Sequence, residues 1–454
     1  MEQRQKAILL GANINNNEDF KNSMEELANL AKACDIETVG EMSQNLTRVN
    51  NSYYFGRGKI TEVLELLQKT DAEMVIFNDE LSPSQIRNLE KTLDCPVLDR
   101  TVLILDIFSE RAKTREAKLQ VEIARIKYML PRLIGASKSL GRQGGGSGLK
   151  NKGTGEKKLE LDRRKLEDRI SALEKELETL VSTRQNQRKW RKKNEIPVVA
   201  LTGYTNAGKS TIMNAMLDLY HPDTEKLVLE KDMLFATLET SVRNITLPDH
   251  KSFLLTDTVG FISKLPHHLV KAFRSTLEEV AEADLLIHVV DYSNPDYKKQ
   301  IEVTKETLRE LGADQIPVIY AYNKIDKVES QPHNEGETDL TGLLQDDETE
   351  HETEEEKNLR TAPEEGILIS ARKKLGLESL TEKLKEQIFS DYVQLEILIP
   401  YHKGSLVSYL NENASIKSTG YENDGIRISL ECKRADYEKL RPYEVSSVTV
   451  SKPL

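Results

Sequence analysis

Cysteine is nearly absent from this chain. Cys34, Cys95 and Cys432 are the three in 454 residues, and their wide separation offers no metal-ligand spacing, so buried free thiols are expected. Long apolar runs are missing as well: no stretch approaches the ~20 residues needed to cross a bilayer, and the apolar run inside MEQRQKAILLGAN is too short for a signal peptide. These absences exclude a membrane-spanning protein and point to the cytoplasm. Aromatics reach only 6% against 31% charged residues, the balance of a soluble chain with ordinary cores, and the length suffices for about three domains.

A positive excess is also lacking. The formal net charge of −11 looks unfavourable for nucleic acid, but it is unevenly spread. Residues 328–365 hold fourteen acidic and two basic side chains, a net of −12, so the other residues together carry +1. This stretch, with Asp346-Asp347-Glu348-Thr349-Glu350-His351-Glu352, reads as a solvated and partly disordered insertion. It is either a tolerated surface insertion or a tract that shields basic faces.

What is present begins with Gly203-Tyr204-Thr205-Asn206-Ala207-Gly208-Lys209-Ser210, followed by Thr211, which fits G-x-x-x-x-G-K-[ST] at every fixed position. An apolar strand over 197–201 precedes it and a helix over 210–218 follows. In that context the glycines let backbone N–H groups line one concavity, Lys209 reaches β and γ phosphates, and Ser210 can hold a magnesium ion. A second strand ends at Asp257-Thr258-Val259-Gly260, placing a carboxylate for magnesium and a glycine N–H for a γ-phosphate. A third, over 318–322, runs into Asn323-Lys324-Ile325-Asp326. The Asp326 carboxylate matches guanine N1–H and its amine, and Ser370-Ala371-Arg372 supplies the last loop at the base. Four strand-terminal motifs in this order indicate a GTP-hydrolysing P-loop domain; an ATPase or kinase reading leaves Asn323 to Asp326 unexplained.

Before that domain, strands are expected over 7–10, 37–42 and 74–77, alternating with helices over 18–33 and 60–68, hence an α/β layer with a mostly parallel sheet. Ser82, Pro83 and Gln85 form a capping box that starts a further helix. Gly56-Arg57-Gly58-Lys59 is too short for a phosphate loop. From Asp106 onward the period changes. Leu119, Ile123, Ile126 and Leu130 make one helical stripe, which Pro131 is expected to stop, and Leu166, Ile170, Leu173, Leu177 and Leu180 make another. Two such stripes predict an antiparallel helical pair, with a coiled coil to a partner protein as the rival. Between them, 138–156 is rich in glycine and carries Lys138, Arg142, Lys150 and Lys152; it is a plain linker or a basic loop reaching for phosphate backbones. The cluster Arg188-Lys189-Trp190-Arg191-Lys192-Lys193 leaves the same two readings open.

Tyr54-Phe55-Gly56-Arg57-Gly58-Lys59, Asp79-Glu80-Leu81-Ser82-Pro83, Arg87-Asn88-Leu89-Glu90, Asp99-Arg100-Thr101, the Glu116 to Glu122 run, Leu130-Pro131-Arg132-Leu133 and Asp162-Arg163-Arg164, with the nucleotide motifs, resemble the HflX-type GTPases over nearly the full length. The resemblance implies an N-terminal α/β subdomain (1–105) with a helical hairpin (106–193) and a central P-loop GTPase domain (194–390); the pattern of residues after 390 reads as a small C-terminal α/β domain (391–454). It also implies binding to the large ribosomal subunit, with its ribosomal RNA, and a role in splitting or rescuing stalled ribosomes; a monomer that does not bind DNA is expected. Phe235-Ala236-Thr237-Leu238-Glu239 resembles the first switch, where Thr237 would bind magnesium, and Asn206 resembles the asparagine of potassium-activated enzymes. Lys209, Thr237 and Gly260 are the expected catalytic set; GTP or GDP, Mg²⁺ and K⁺ are the expected cofactors. Two departures stand out: the glycine-rich loop has Lys152 and Thr154 where the family has Arg and Pro, and the acidic insertion is long. The alternative function is a GTP-dependent switch acting on a protein or membrane partner.

Overall fold

The computed structural model describes residues 4–16, 19–140, 152–193, 196–221, 235, 240–249, 251–264, 279–328, 366–390 and 392–446, with backbone alone for the helical stretches 133–140, 152–159 and 183–193. The chain divides into two compact units: Met1–Trp190 with Lys231–Glu239 and Val259–Leu277, and Arg191–Glu230 with Thr240–Thr258 and Glu278–Leu454.

In the first unit β1 (Lys6–Ile14), α1 (Phe20–Ala33), β2 (Glu37–Leu46), α2 (Arg57–Thr70), β3 (Met74–Phe77), α3 (Pro83–Leu93) and β4 (Val97–Asp99) form a parallel sheet in the order β2-β1-β3-β4. β3 and the Ala7–Leu10 part of β1 are apolar and buried because both faces are covered, as parallel sheets require. Ser82 caps α3, with its hydroxyl accepting from Gln85 N and Gln85 Oε1 accepting from Ser82 N. Asp99 caps α4 (Arg100–Arg111) by accepting from Val102 N.

The two stripes pair with each other. Leu119 and Ile123 of α5 (Arg115–Leu140) pack on Ile170 and Leu173 of α6 (Lys152–Lys193), joined by Ile126, Leu177 and Leu180. Arg115 bonds Glu176 and Arg169 bonds Glu122, so seven residues forward on one helix are seven back on the other, the antiparallel arrangement. One expectation is corrected. Pro131 does not stop α5, which runs on to Leu140. A proline inside a helix removes one bond to the carbonyl four residues earlier and costs about 3 kcal/mol, a loss the helical turns on either side absorb. The glycine-rich connection is accordingly shorter than 138–156: Lys138 and residues 152–156 are helical, and 141–151 lie outside the described residues. So do 329–365, nearly all of the acidic insertion.

The second unit holds a six-stranded sheet in the order β10-β9-β8-β5-β7-β6, parallel except for the edge strand β6. Its members are β5 (Val198–Gly203), β6 (Ser241–Thr246), β7 (Ser252–Asp257), β8 (Leu285–Asp291), β9 (Val318–Asn323) and β10 (Gly366–Leu368), with α7 (Lys209–Tyr220), α8 (Tyr297–Glu310) and α9 (Leu377–Ile388) between them. After it come β11 (Tyr392–Ile399), α10 (Gly404–Asn413), β12 (Ser415–Glu422), β13 (Gly425–Lys433), α11 (Arg434–Leu440) and β14 (Glu444–Ser446), whose strands form an antiparallel sheet. Lys251 ties the two sheets of this unit: its Nζ lies 2.7 Å from Glu431 Oε2 and 5.4 and 5.1 Å from the rings of Phe389 and Tyr392. Burial opposes ionisation of Glu431, yet hydrogen bonds from Lys251 and Gln394 prevail and hold its pKa at about 2. The three cysteines are free, Cys432 buried and the other two half-buried, and no cluster of metal-ligating side chains occurs among the described residues. None of the described helices is long and apolar enough to cross a membrane.

Candidate nucleotide site

The carboxyl ends of β5, β7, β9 and β10 bring the motifs of the second unit together, the place where open α/β sheets bind ligands. β5 ends on Gly203 at φ +140°, where a Cβ would sit 2.2 Å from Val289 O, so only glycine fits. Gly208, at φ +100°, has the same constraint from Asn323: a Cβ would lie 2.2 Å from Nδ2. Lys209 opens α7 and its Nζ donates to Gly203 O (3.1 Å) and Tyr204 O (2.8 Å), closing the loop on itself. The Thr205 hydroxyl is buried with no hydrogen-bond partner among the described residues. Thr211 continues the helix.

Ser210 Oγ donates to Asp257 Oδ2 at 2.6 Å, uniting the two side chains expected at a magnesium ion. Thr258 is buried and its hydroxyl donates to Leu201 O at 2.6 Å, which anchors the end of β7 to β5. On the base side, Asn323 Nδ2 donates to Ala207 O (2.9 Å) and its Oδ1 accepts from Ala371 N (3.0 Å), so one amide locks the phosphate loop to the last loop. Lys324 Nζ donates to Asn206 O (2.6 Å) and to Asp291 Oδ2 (2.7 Å). Ser370 Oγ donates to Asp326 Oδ1 at 2.6 Å and accepts from Lys373 N, aiming the carboxylate. Ile325 is half-buried in the single turn Ile325–Val328, and Arg372 is exposed. Asp291 is the site residue the sequence reading missed. Its signal was the apolar run Leu285 to Val290 ending in an acid, a strand end like those of Asp257 and Asn323.

The remaining expected residues fall elsewhere. Ala236, Thr237, Leu238 and Glu239 lie outside the described residues. Phe235, Val259 and Gly260 belong to the first unit, where Phe235 is buried edge-on against Phe108, with centroids 4.7 Å apart.

Three family profiles match: "GTP-binding GTPase N-terminal" over residues 21–109, "GTP-binding GTPase Middle Region" over 111–191 and "50S ribosome-binding GTPase" over 198–324. GTPase HflX of Caldanaerobacter subterraneus subsp. tengcongensis is 42% identical over 443 residues, covering 98% of this chain and 94% of that protein. The chain belongs to the HflX family of GTPases. GTPase HflX of Alkalihalophilus pseudofirmus is 49% identical over 321 residues, 70% of this chain and 74% of that one. Among solved structures, a GTP-binding protein from Sulfolobus solfataricus in complex with GDP aligns at 25% identity with a TM-score of 0.41, covering 85% of this chain and 99% of that chain. As an HflX-family member the protein is a GTP-hydrolysing enzyme that binds GTP and GDP.

The donor set fits that nucleotide. Burial lowers the pKa of Lys209 from 10.5 to about 8; Asp257 opposes the shift and Lys324 adds to it. Between about pH 8 and 10.5 the unfolded chain keeps a proton that the native, nucleotide-free lysine has released, so this group makes stability rise with pH in that window. Phosphate oxygens favour the ammonium. GTP binding at pH 8 is therefore expected to take up about half a proton at this lysine, with uptake growing between pH 7 and 9. Calorimetry in buffers of different ionisation enthalpy measures it, and zero uptake throughout would contradict the assignment.

Proposed function

We propose that this HflX-family GTPase is a nucleotide-controlled switch that, with GTP bound, docks on the large ribosomal subunit and splits or rescues stalled ribosomes. The observation that carries the reading is the match of 198–324 to the ribosome-binding GTPase profile on a chain that also pairs two long helices, with Arg142 and Lys150 in the sequence that connects them. It is proposed as a cytoplasmic monomer whose RNA contacts are ribosomal, organised as 1–105, 106–193, 194–390 and 391–454.

In this reading Gly203 to Thr211 cradle the phosphates, Lys209 bridges the β and γ groups, and the Gly260 N–H senses the γ-phosphate. Asn323 to Asp326 and Ser370 to Arg372 hold guanine. Ser210, Asp257 and Thr237 would hold Mg²⁺, which when bound neutralises charge on the phosphate oxygens. Asn206, exposed at φ +61° with its backbone carbonyl on Lys324, is proposed as a potassium ligand through its side-chain oxygen. Phe235, Ala236, Leu238 and Glu239 flank Thr237 in the first switch.

The test is gradient sedimentation of intact ribosomes with the protein and a non-hydrolysable GTP analogue. Free large subunits are expected with the analogue and not with GDP. Intact ribosomes under both conditions would remove the splitting role, and capture of a protein or membrane fraction in their place would favour a different switch.

A further inference from the structure

Within the first unit, two consecutive residues grip different parts of the chain. Arg100, 2% exposed, donates from Nη1 to Asn78 Oδ1 (3.1 Å) and Ser23 O (3.4 Å), and from Nη2 to Glu26, to Ser263 O (3.1 Å) and to Ser263 Oγ (3.3 Å). Ser263 Oγ also donates to Glu26. The next residue, Lys264, is held at φ +53° while its Nζ reaches Asp79 Oδ1 (2.6 Å), itself the acceptor for the Tyr54 hydroxyl. A side chain at positive φ persists only where its surroundings hold it. Asp99, fully buried, faces the other way: it accepts from Leu81 N (3.0 Å) and Val102 N (3.1 Å), from the Tyr128 hydroxyl, and from Arg132 Nη2 (2.7 Å), the last two on α5.

Burying an arginine and a carboxylate side by side is a poor route to stability, because desolvation offsets most of the attraction and apolar replacements do as well. What such a pair does well is fix position. Val259 to Lys264 directly follow Asp257-Thr258, and in GTPases the segment after this turn changes course with the γ-phosphate. If it withdraws, Arg100 loses both contacts to Ser263 and keeps those to Glu26, Asn78 and Ser23. Arg100 and Asp99 share the capped first turn of α4, so they shift as one body, and Asp99 carries Tyr128 and Arg132 with it.

We propose that Asp99 and Arg100 are positioning residues of a relay that sets the placement of α5, and so of the hairpin, according to the state of the segment 259–264. The proposal rests on reading Asp257 to Gly260 as the nucleotide-sensing turn. Hydrogen exchange of the full-length protein, loaded with GDP or with a non-hydrolysable GTP analogue, tests it. Amides 124–132 are expected to exchange roughly threefold or more differently between the two states. Arg100→Lys, which keeps the charge but not the two-pronged hold on Ser263, is expected to abolish that difference with nucleotide affinity unchanged. The double variant Tyr128→Phe with Arg132→Ala, on the opposite arm, is expected to do the same and carries the test if Arg100→Lys fails to fold. Arg125→Ala, which removes the partly exposed ion pair from α5 to Asp106 of α4 but touches neither Asp99 nor Arg100, is expected to retain the difference. If 259–264 respond to the nucleotide and 124–132 do not, the relay is wrong. If 259–264 themselves do not respond, the reading of the turn fails first. Loss of the difference in Arg125→Ala would also overturn the relay, since any loosening of α5 would then suffice.

Discussion

Large ribosomal subunits are expected to raise GTP hydrolysis by this protein on the order of 10³ to 10⁵-fold over its rate alone, the range a supplied arginine finger gives in comparable enzymes. The reason lies at position 261. In Ras-like enzymes a glutamine directly after the Asp-x-x-Gly glycine orients the attacking water, but here the residue is Phe261, 1% exposed in the core of its unit. A buried phenyl ring cannot hold a water. Lys209 can still stabilise developing charge, while Arg274, the nearest arginine downstream, lies outside the described residues. Phe261→Gln is therefore expected to give no gain in rate and to cost about 3 kcal/mol of stability, as a polar group replaces a buried ring. Deleting 141–155 is expected to abolish stimulation, and hydrolysis is expected to run faster in potassium than in sodium buffer. Single-turnover rates with and without large subunits, in potassium and in sodium buffer, check the rates, and denaturant unfolding checks the stability; fast hydrolysis by the protein alone would refute the argument.

Asp326→Asn is expected to weaken GTP binding by roughly 10² to 10⁴-fold, the loss of two hydrogen bonds to a charged acceptor at about 1.5–3 kcal/mol each. The same variant gains affinity for xanthosine triphosphate, whose ring carries an oxygen where guanine has its amine. The structure sharpens this expectation, because Ser370 Oγ donates to Asp326 Oδ1 and so fixes the acceptor in place before any base arrives. Asparagine can still accept from Ser370, so the fold of the loop survives and the effect falls on the base. Competition between the two nucleotides for the variant measures it, and unchanged preference for GTP would remove the assignment.

Most of the site was legible because phosphate and guanine chemistry demand particular residues at close sequence spacing: Gly203, Gly208 and Lys209 within one loop, Asn323 and Asp326 within one turn. The four strands that end in those motifs followed from the same reading. Asp291 ends a legible strand, but its role was not legible, since it depends on Lys324, thirty-three residues away and just past the end of the neighbouring strand. Arg100 was not legible as a gripping residue either; its partners at Ser23, Glu26, Asn78 and Ser263 are brought together only by the fold. Pro131 misled for a different reason. The rule that proline ends a helix weighs one residue's local cost, whereas α5 is sustained by packing over many turns, including its seam with α6.

The central claim is that the nucleotide sets affinity for the ribosome. Co-sedimentation of the purified protein with purified large ribosomal subunits tests it most directly, run in parallel with a non-hydrolysable GTP analogue, with GDP and without nucleotide. The account predicts stoichiometric binding with the analogue and at least about tenfold weaker binding with GDP, a coupling within the usual range for two-state switches. Equal binding in all three conditions, or none in any, would contradict it.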